Sequence, residues 1–218
     1  TVAAGEGMRL LTGSVIDLSG TSIRNPRAGV LPGTTTQKVE GRLVGGGSLI
    51  TDAAFAGGGV KLFELPGYGT TRFIEPLSGA AITLRRSGEQ LLAARGATIN
   101  VAGASDQYDQ LVALDRFALA PVWSDGGQLA LGAGGSVAGA RILADGGAAQ
   151  AQGGTLSWLD PVLQQSDGTT AVRDVVAADQ IMAAGFDNFV AQDRLTTLGD
   201  VNLSLGRGFY LVARPYDG

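Results

Sequence analysis

Asp106, Asp109 and Asp115 fall in one short segment beside Tyr108, Arg116 and Trp123. A pair of carboxyl groups, one protonated and one ionised, can cleave a glycosidic bond by acid–base chemistry, and an aromatic ring can stack the sugar. A polysaccharide lyase or hydrolase is therefore one reading of the chain. The plainer reading of the same residues is a solvated excursion in which one carboxylate caps a turn and the rings cover an open edge. That reading is adopted, and no catalytic residue is assigned.

Other chemistry is narrowed by what the chain lacks. It contains neither histidine nor cysteine, which removes the commonest general base, the commonest zinc ligand, thiolate sites and every Ser-His-Asp arrangement. The glycine runs at 45–47 and 57–59 lack the P-loop spacing, so they read as strand-connecting turns rather than phosphate cradles. Asp52, Asp145, Asp160 and Asp167 lie at or near turns, where carboxylates and carbonyls can bind calcium, but no stretch matches an EF-hand or the glycine-rich calcium nonapeptide. Neither a metal nor a cofactor is expected. Net charge is −4 with scattered signs, so no basic patch points to nucleic acid. The candidate ligand contacts are the aromatic residues of the inserts, Tyr68, Phe73, Tyr108 and Trp123, because loops carry binding more often than scaffolds do. Trp158 and Phe209 sit in strand-like contexts and are expected in the core.

The elements that must position these residues are short strands. From Gly199 to Pro215, Val201, Leu203, Leu205, Phe209, Leu211 and Ala213 alternate with polar or small residues, the period of a half-buried strand. Thirty-five glycines, with 44% hydrophobic residues, mean many tight turns between buried strands and argue against disorder. Like octapeptides, GSVIDLSG, GATINVAG and GDVNLSLG, begin at residues 13, 96 and 199. Four and five turns of roughly 21 residues would give such gaps, which predicts a β-solenoid; a β-sandwich is the competing architecture.

Inserts interrupt the pattern near residues 21–41, 66–76, 104–125 and 160–175. Between 105 and 119 the spacing also suits a short helix, capped by Ser105 with Tyr108, Leu111, Val112, Asp115 and Leu119 along one stripe. VVAADQIMAAGFDNFVAQ, 175–192, suits helix and strand equally. No apolar run reaches the ~18 residues that span a bilayer. The pattern is already running at Thr1 and still strand-like near Gly218, so the chain is expected to be one β-helical segment, 1–218, of something longer.

The repeats GSVIDLSGT, GATINVAG and GGSVAGARILADGG, and above all AADQIMAAGFDNFVAQDRLTTLGDVNLSLGRGFYLVARP, resemble the large filamentous-haemagglutinin-type exoproteins of Gram-negative bacteria. That resemblance implies a right-handed parallel β-helix and export through an outer-membrane transporter by two-partner secretion. It also implies a role at the cell surface in adhesion or biofilm cohesion, with a host or cell-surface glycan or protein as partner. The secretion domain of such proteins is not recognisable here, so the segment corresponds to shaft. A third function is a self-associating matrix component, since a solenoid segment exposes strand edges at both ends that can pair end to end.

Overall fold

The computed structural model describes residues 8–51, 81–83, 91–114, 116–166 and 174–212. Tyr68, Phe73, Asp52, Asp115, Asp167, the insert at 66–76 and the glycine run at 57–59 lie outside them. The described chain is all-β, with one six-residue helix. It begins with β1 (Met8–Leu10), β2 (Val15–Asp17), β3 (Thr21–Arg24), β4 (Gly41–Val44), β5 (Ser48–Ile50) and β6 (Ala81–Thr83). Next come β7 (Leu91–Ala93), β8 (Thr98–Asn100), β9 (Ser105–Ala113), β10 (Arg116–Trp123), β11 (Gln128–Leu131) and β12 (Arg141–Leu143). The C-terminal part holds β13 (Gly154–Leu159), β14 (Val162–Gln164), β15 (Val175–Ala177), α1 (Ala178–Ala183), β16 (Phe186–Gln192), β17 (Thr196–Leu198) and β18 (Gly208–Val212).

The largest sheet has six strands in the order β6-β5-β11-β13-β16-β18, all parallel. Its register aligns Leu49, Leu129, Leu156, Phe189 and Phe209 across five strands. The first four are 1% exposed or less, and burying each such side chain stabilises the fold by ~1.5–3 kcal/mol. In the middle of the sheet the other face is closed too, with Ala130, Ser157 and Val190 all buried. Parallel strands buried on both faces read as continuous apolar runs rather than alternations, and the LAL of β11 is such a run.

A second parallel sheet, β2-β8-β12, aligns Ile16, Ile99 and Ile142, and a third, β15-β14-β17, is also parallel. β1 pairs with β7, and Leu92 bridges Ser136 in the same parallel sense. The inward residues of these sheets merge into one core with Trp158, Ile181 and Phe186.

The first two octapeptides stand differently from the sequence arithmetic. β2 and β8 lie side by side, Val15 opposite Thr98, rather than several turns apart, and of the described chain between them the β3–β4 hairpin lies outside the parallel sheets. Gly13 donates its N–H to the Gly96 carbonyl and Gly96 donates to that of Gly139, with φ of +81°, +81° and +73°. These stacked left-handed turns require glycine. Elsewhere the packing is closer, and a Cβ at Gly127 would strike the Gly47 carbonyl oxygen.

Two antiparallel hairpins, β3–β4 and β9–β10, leave this parallel arrangement. The second overturns the helix expected from Ser105 to Leu119. Tyr108, Val122 and Leu43 bury a small cluster of their own between the two hairpins, and that contact, absent from any local pattern, selects strand. The ambiguous 175–192 segment divides into β15, α1 and β16. Val201, Leu203 and Leu205 pack partly buried against the main core without forming a strand. Trp158 is fully buried, whereas Phe209 is 43% exposed on the last described strand of the sheet. It touches Phe189 at 5.5 Å between ring centroids, and among the described residues no further strand stacks on it.

Candidate functional site

Of the insert residues singled out for chemistry, Asp106, Tyr108 and Asp109 meet where the two hairpins touch. Asp106, near the start of β9, is the hub. Arg24 of β3 donates from Nε to Asp106 Oδ2 at 2.9 Å and from Nη2 to Oδ1. Ser22 donates its hydroxyl to Oδ2, and the Gln107 amide donates to Oδ1 at 2.8 Å. The Ser22 proton is spent on the carboxylate, so the 2.8 Å contact between the Ser22 and Tyr108 hydroxyls has Tyr108 as donor. The Arg24 guanidinium, and after it Ser22, holds the Asp106 carboxyl far below the usual carboxylate range. The same pairing raises Arg24. Asp106 is therefore a fixed anion rather than an acid able to hand over a proton.

Asp109 has a different duty. Its Oδ2 accepts from the Val39 amide at 2.6 Å, while its own amide donates to the Val39 carbonyl at 2.8 Å. Lys38 lies 4.6 Å above the Phe117 ring. Each of these contacts joins residues from opposite hairpins, so the two inserts form one platform. The ring of Tyr108 is 3% exposed and is a structural part of that platform, offering no face to solvent.

Trp123 stands elsewhere. In the β9–β10 ladder Ser105 faces Trp123 and Gln107 faces Pro121, and directly opposed residues project on the same side of an antiparallel pair. Trp123, Pro121 and Gln107 thus share the face opposite that of Tyr108 and Val122. This face and Arg24, together with the turn at Ala148 and Gln150, enclose an open cleft of about 440 Å³. Ligand clefts commonly span about 300–1,000 Å³.

Of the predicted site residues, the structure brings Trp123 and Asp106 to this cleft, keeps Tyr108 beneath it, and gives Asp109 to the hairpin junction. Arg24, Ser22 and Gln150 carried no local signal, since Arg24 is 82 residues from Asp106 and Gln150 belongs to a glycine-rich turn. Asp145 and Asp160 are not among the residues lining the cleft, and among the described residues no three acidic side chains converge as a metal site would need. Among the same residues no helix is long and apolar enough to cross a membrane. No known protein family, curated protein or solved structure matches the chain.

Proposed function

We propose that the parallel sheets are successive turns of a right-handed parallel β-helix, and that the chain is a scaffold segment of a secreted, cell-surface exoprotein. The carrying observation is the rung from Leu49 through Leu129, Leu156 and Phe189 to Phe209, held in register across five parallel strands. Parallel strands joined by crossovers are right-handed in almost all cases, and a stack in which each turn touches its neighbours folds progressively as it emerges from a membrane. Such an architecture suits two-partner export, and it extends the chain by about 4.8 Å per turn. The hairpin platform is the part that stands out from the shaft to meet a partner.

Polysaccharide cleavage is less well supported. A general acid has to carry a proton at working pH, and Asp106 is locked to Arg24 and Ser22 as an anion, while Asp109 holds the Val39 amide. Export is tested by following the parent chain in cells with and without their outer-membrane two-partner transporter. Surface or medium accumulation that depends on the transporter is expected, and a chain that stays inside the cell in both strains overturns the reading.

A further inference from the structure

We propose that the cleft between the β9–β10 face and the Ala148–Gln150 turn binds a neutral glycan, stacked on Trp123 and Pro121 and hydrogen-bonded by Gln107, Gln150 and Arg24. This deepens the reading of the hairpins as the contact platform by naming the ligand class.

Trp123 and Pro121 are two residues apart on one strand and project on the same side, giving a ring and a pyrrolidine along the floor of an open cleft. Trp123 is partly buried and is one of the residues lining the cleft. Around that apolar strip stand two exposed primary amides, Gln107 and Gln150, and each amide both donates and accepts. A pyranose has the matching chemistry, with an apolar C–H face for the strip and hydroxyls, each donor and acceptor, at its edge.

Charge decides among polar ligands. Among the described residues lining the cleft, Arg24 and Asp106 carry the only charges, and they neutralise one another through two hydrogen bonds. Among these described residues no surplus cation remains to attract a phosphate, a sulfate or a uronic acid. The Arg24 side chain is 62% exposed, and its N–H groups not engaged by Asp106 are donors for a hydroxyl oxygen. The pairing with Asp106 and Ser22 fixes that fork before any ligand arrives, which lowers the ordering cost of binding.

The test presents the whole chain to a printed array of neutral and acidic glycans, followed by titration of the best neutral oligosaccharide against intrinsic fluorescence. The chain has two tryptophans, and Trp158 is fully buried, so a ligand-dependent change reports on Trp123. Trp123→Ala is expected to weaken binding at least about tenfold, equivalent to about 1.4 kcal/mol, and Trp123→Phe to retain most of it. Gln107→Ala with Gln150→Ala alters only exposed side chains and is expected to weaken binding without moving the thermal midpoint. Retention of acidic glycans alone, equal binding by the Trp123→Ala chain, or no neutral glycan retained overturns the inference. Export is assayed separately, so a chain that reaches the surface and ignores neutral sugars removes this inference and leaves the scaffold reading standing.

Discussion

Phe189 and Phe209 occupy adjacent positions of one rung, directly opposed in register on β16 and β18, and differ chiefly in what covers them. Phe189 is fully buried and Phe209 is 43% exposed. Replacing a buried phenylalanine by alanine costs ~3–5 kcal/mol, combining lost transfer energy with the cavity left behind. At Phe209 a little over half the side chain is removed from water, and solvent fills the space vacated, so the transfer part falls to about half of its ~1.5–3 kcal/mol and the cavity part disappears. Both substitutions abolish the same ring pair, 5.5 Å apart with planes inclined at 44°, and that contribution of ~0.5–1.5 kcal/mol cancels in the comparison. Phe189→Ala is therefore expected to destabilise the chain by about 2 kcal/mol more than Phe209→Ala. Urea unfolding measures both, with unchanged m-values confirming that midpoint shifts report stability. Equal costs within about 0.5 kcal/mol, an additivity-scale difference, would refute the placing of β18 at the edge of the described sheet and of Phe189 inside it.

Three further outcomes follow from the geometry. Asp106→Asn is expected to cost about 1 kcal/mol at neutral pH, the scale of an ion pair whose arginine is largely exposed. The folded-state pKa of Asp106 is depressed, so its stabilisation is complete above the unfolded value of about 3.9 and is lost as pH falls below it; the gap between the two proteins in urea midpoint should close on acidification, and a gap independent of pH would contradict the pairing. Gly13 has φ +81° and open space around a built Cβ, whereas a Cβ at Gly127 meets the Gly47 carbonyl oxygen. Thermal unfolding should accordingly show Gly13→Ala losing ~1–2 kcal/mol from left-handed strain alone and Gly127→Ala losing ~3 kcal/mol or more from forced backbone displacement, the reverse order counting against the close approach. Asp109→Ala should leave the Val39 amide without its side-chain acceptor, costing ~1–3 kcal/mol and raising hydrogen exchange at Val39, while unchanged exchange there would mean the hairpins are joined by other contacts.

Local chemistry wrote the strands and turns into the sequence. The triplets VID and TIN each centre on an isoleucine followed by a polar residue, and Gly13 and Gly96 precede them at the same spacing, so strand and glycine turn were both readable without coordinates. Tertiary structure decided which strands meet. Nothing local says that Val15 lies opposite Thr98, because an insert of any length returns the chain to the same edge at little extra entropic cost. For the same reason the spacing of 13 and 96 suggested several turns where the structure has neighbours. The segment from Ser105 to Leu119 carries a helical spacing, and the partners supplied by Leu43 and Val39 favour the hairpin instead. Asp106 was visible as a carboxylate beside aromatic residues, but its character as a fixed anion came from Arg24 and Ser22, more than eighty residues earlier in the chain. For the short strands of the parallel sheets the sequence by itself determined the kind of element and the faces that had to be buried, since those depend on the period of apolar side chains and on backbone dihedrals. Register, the joining of two hairpins and the cleft beside Trp123 were decided only on folding, because each depends on hydrogen bonds and contacts between residues that no local pattern connects.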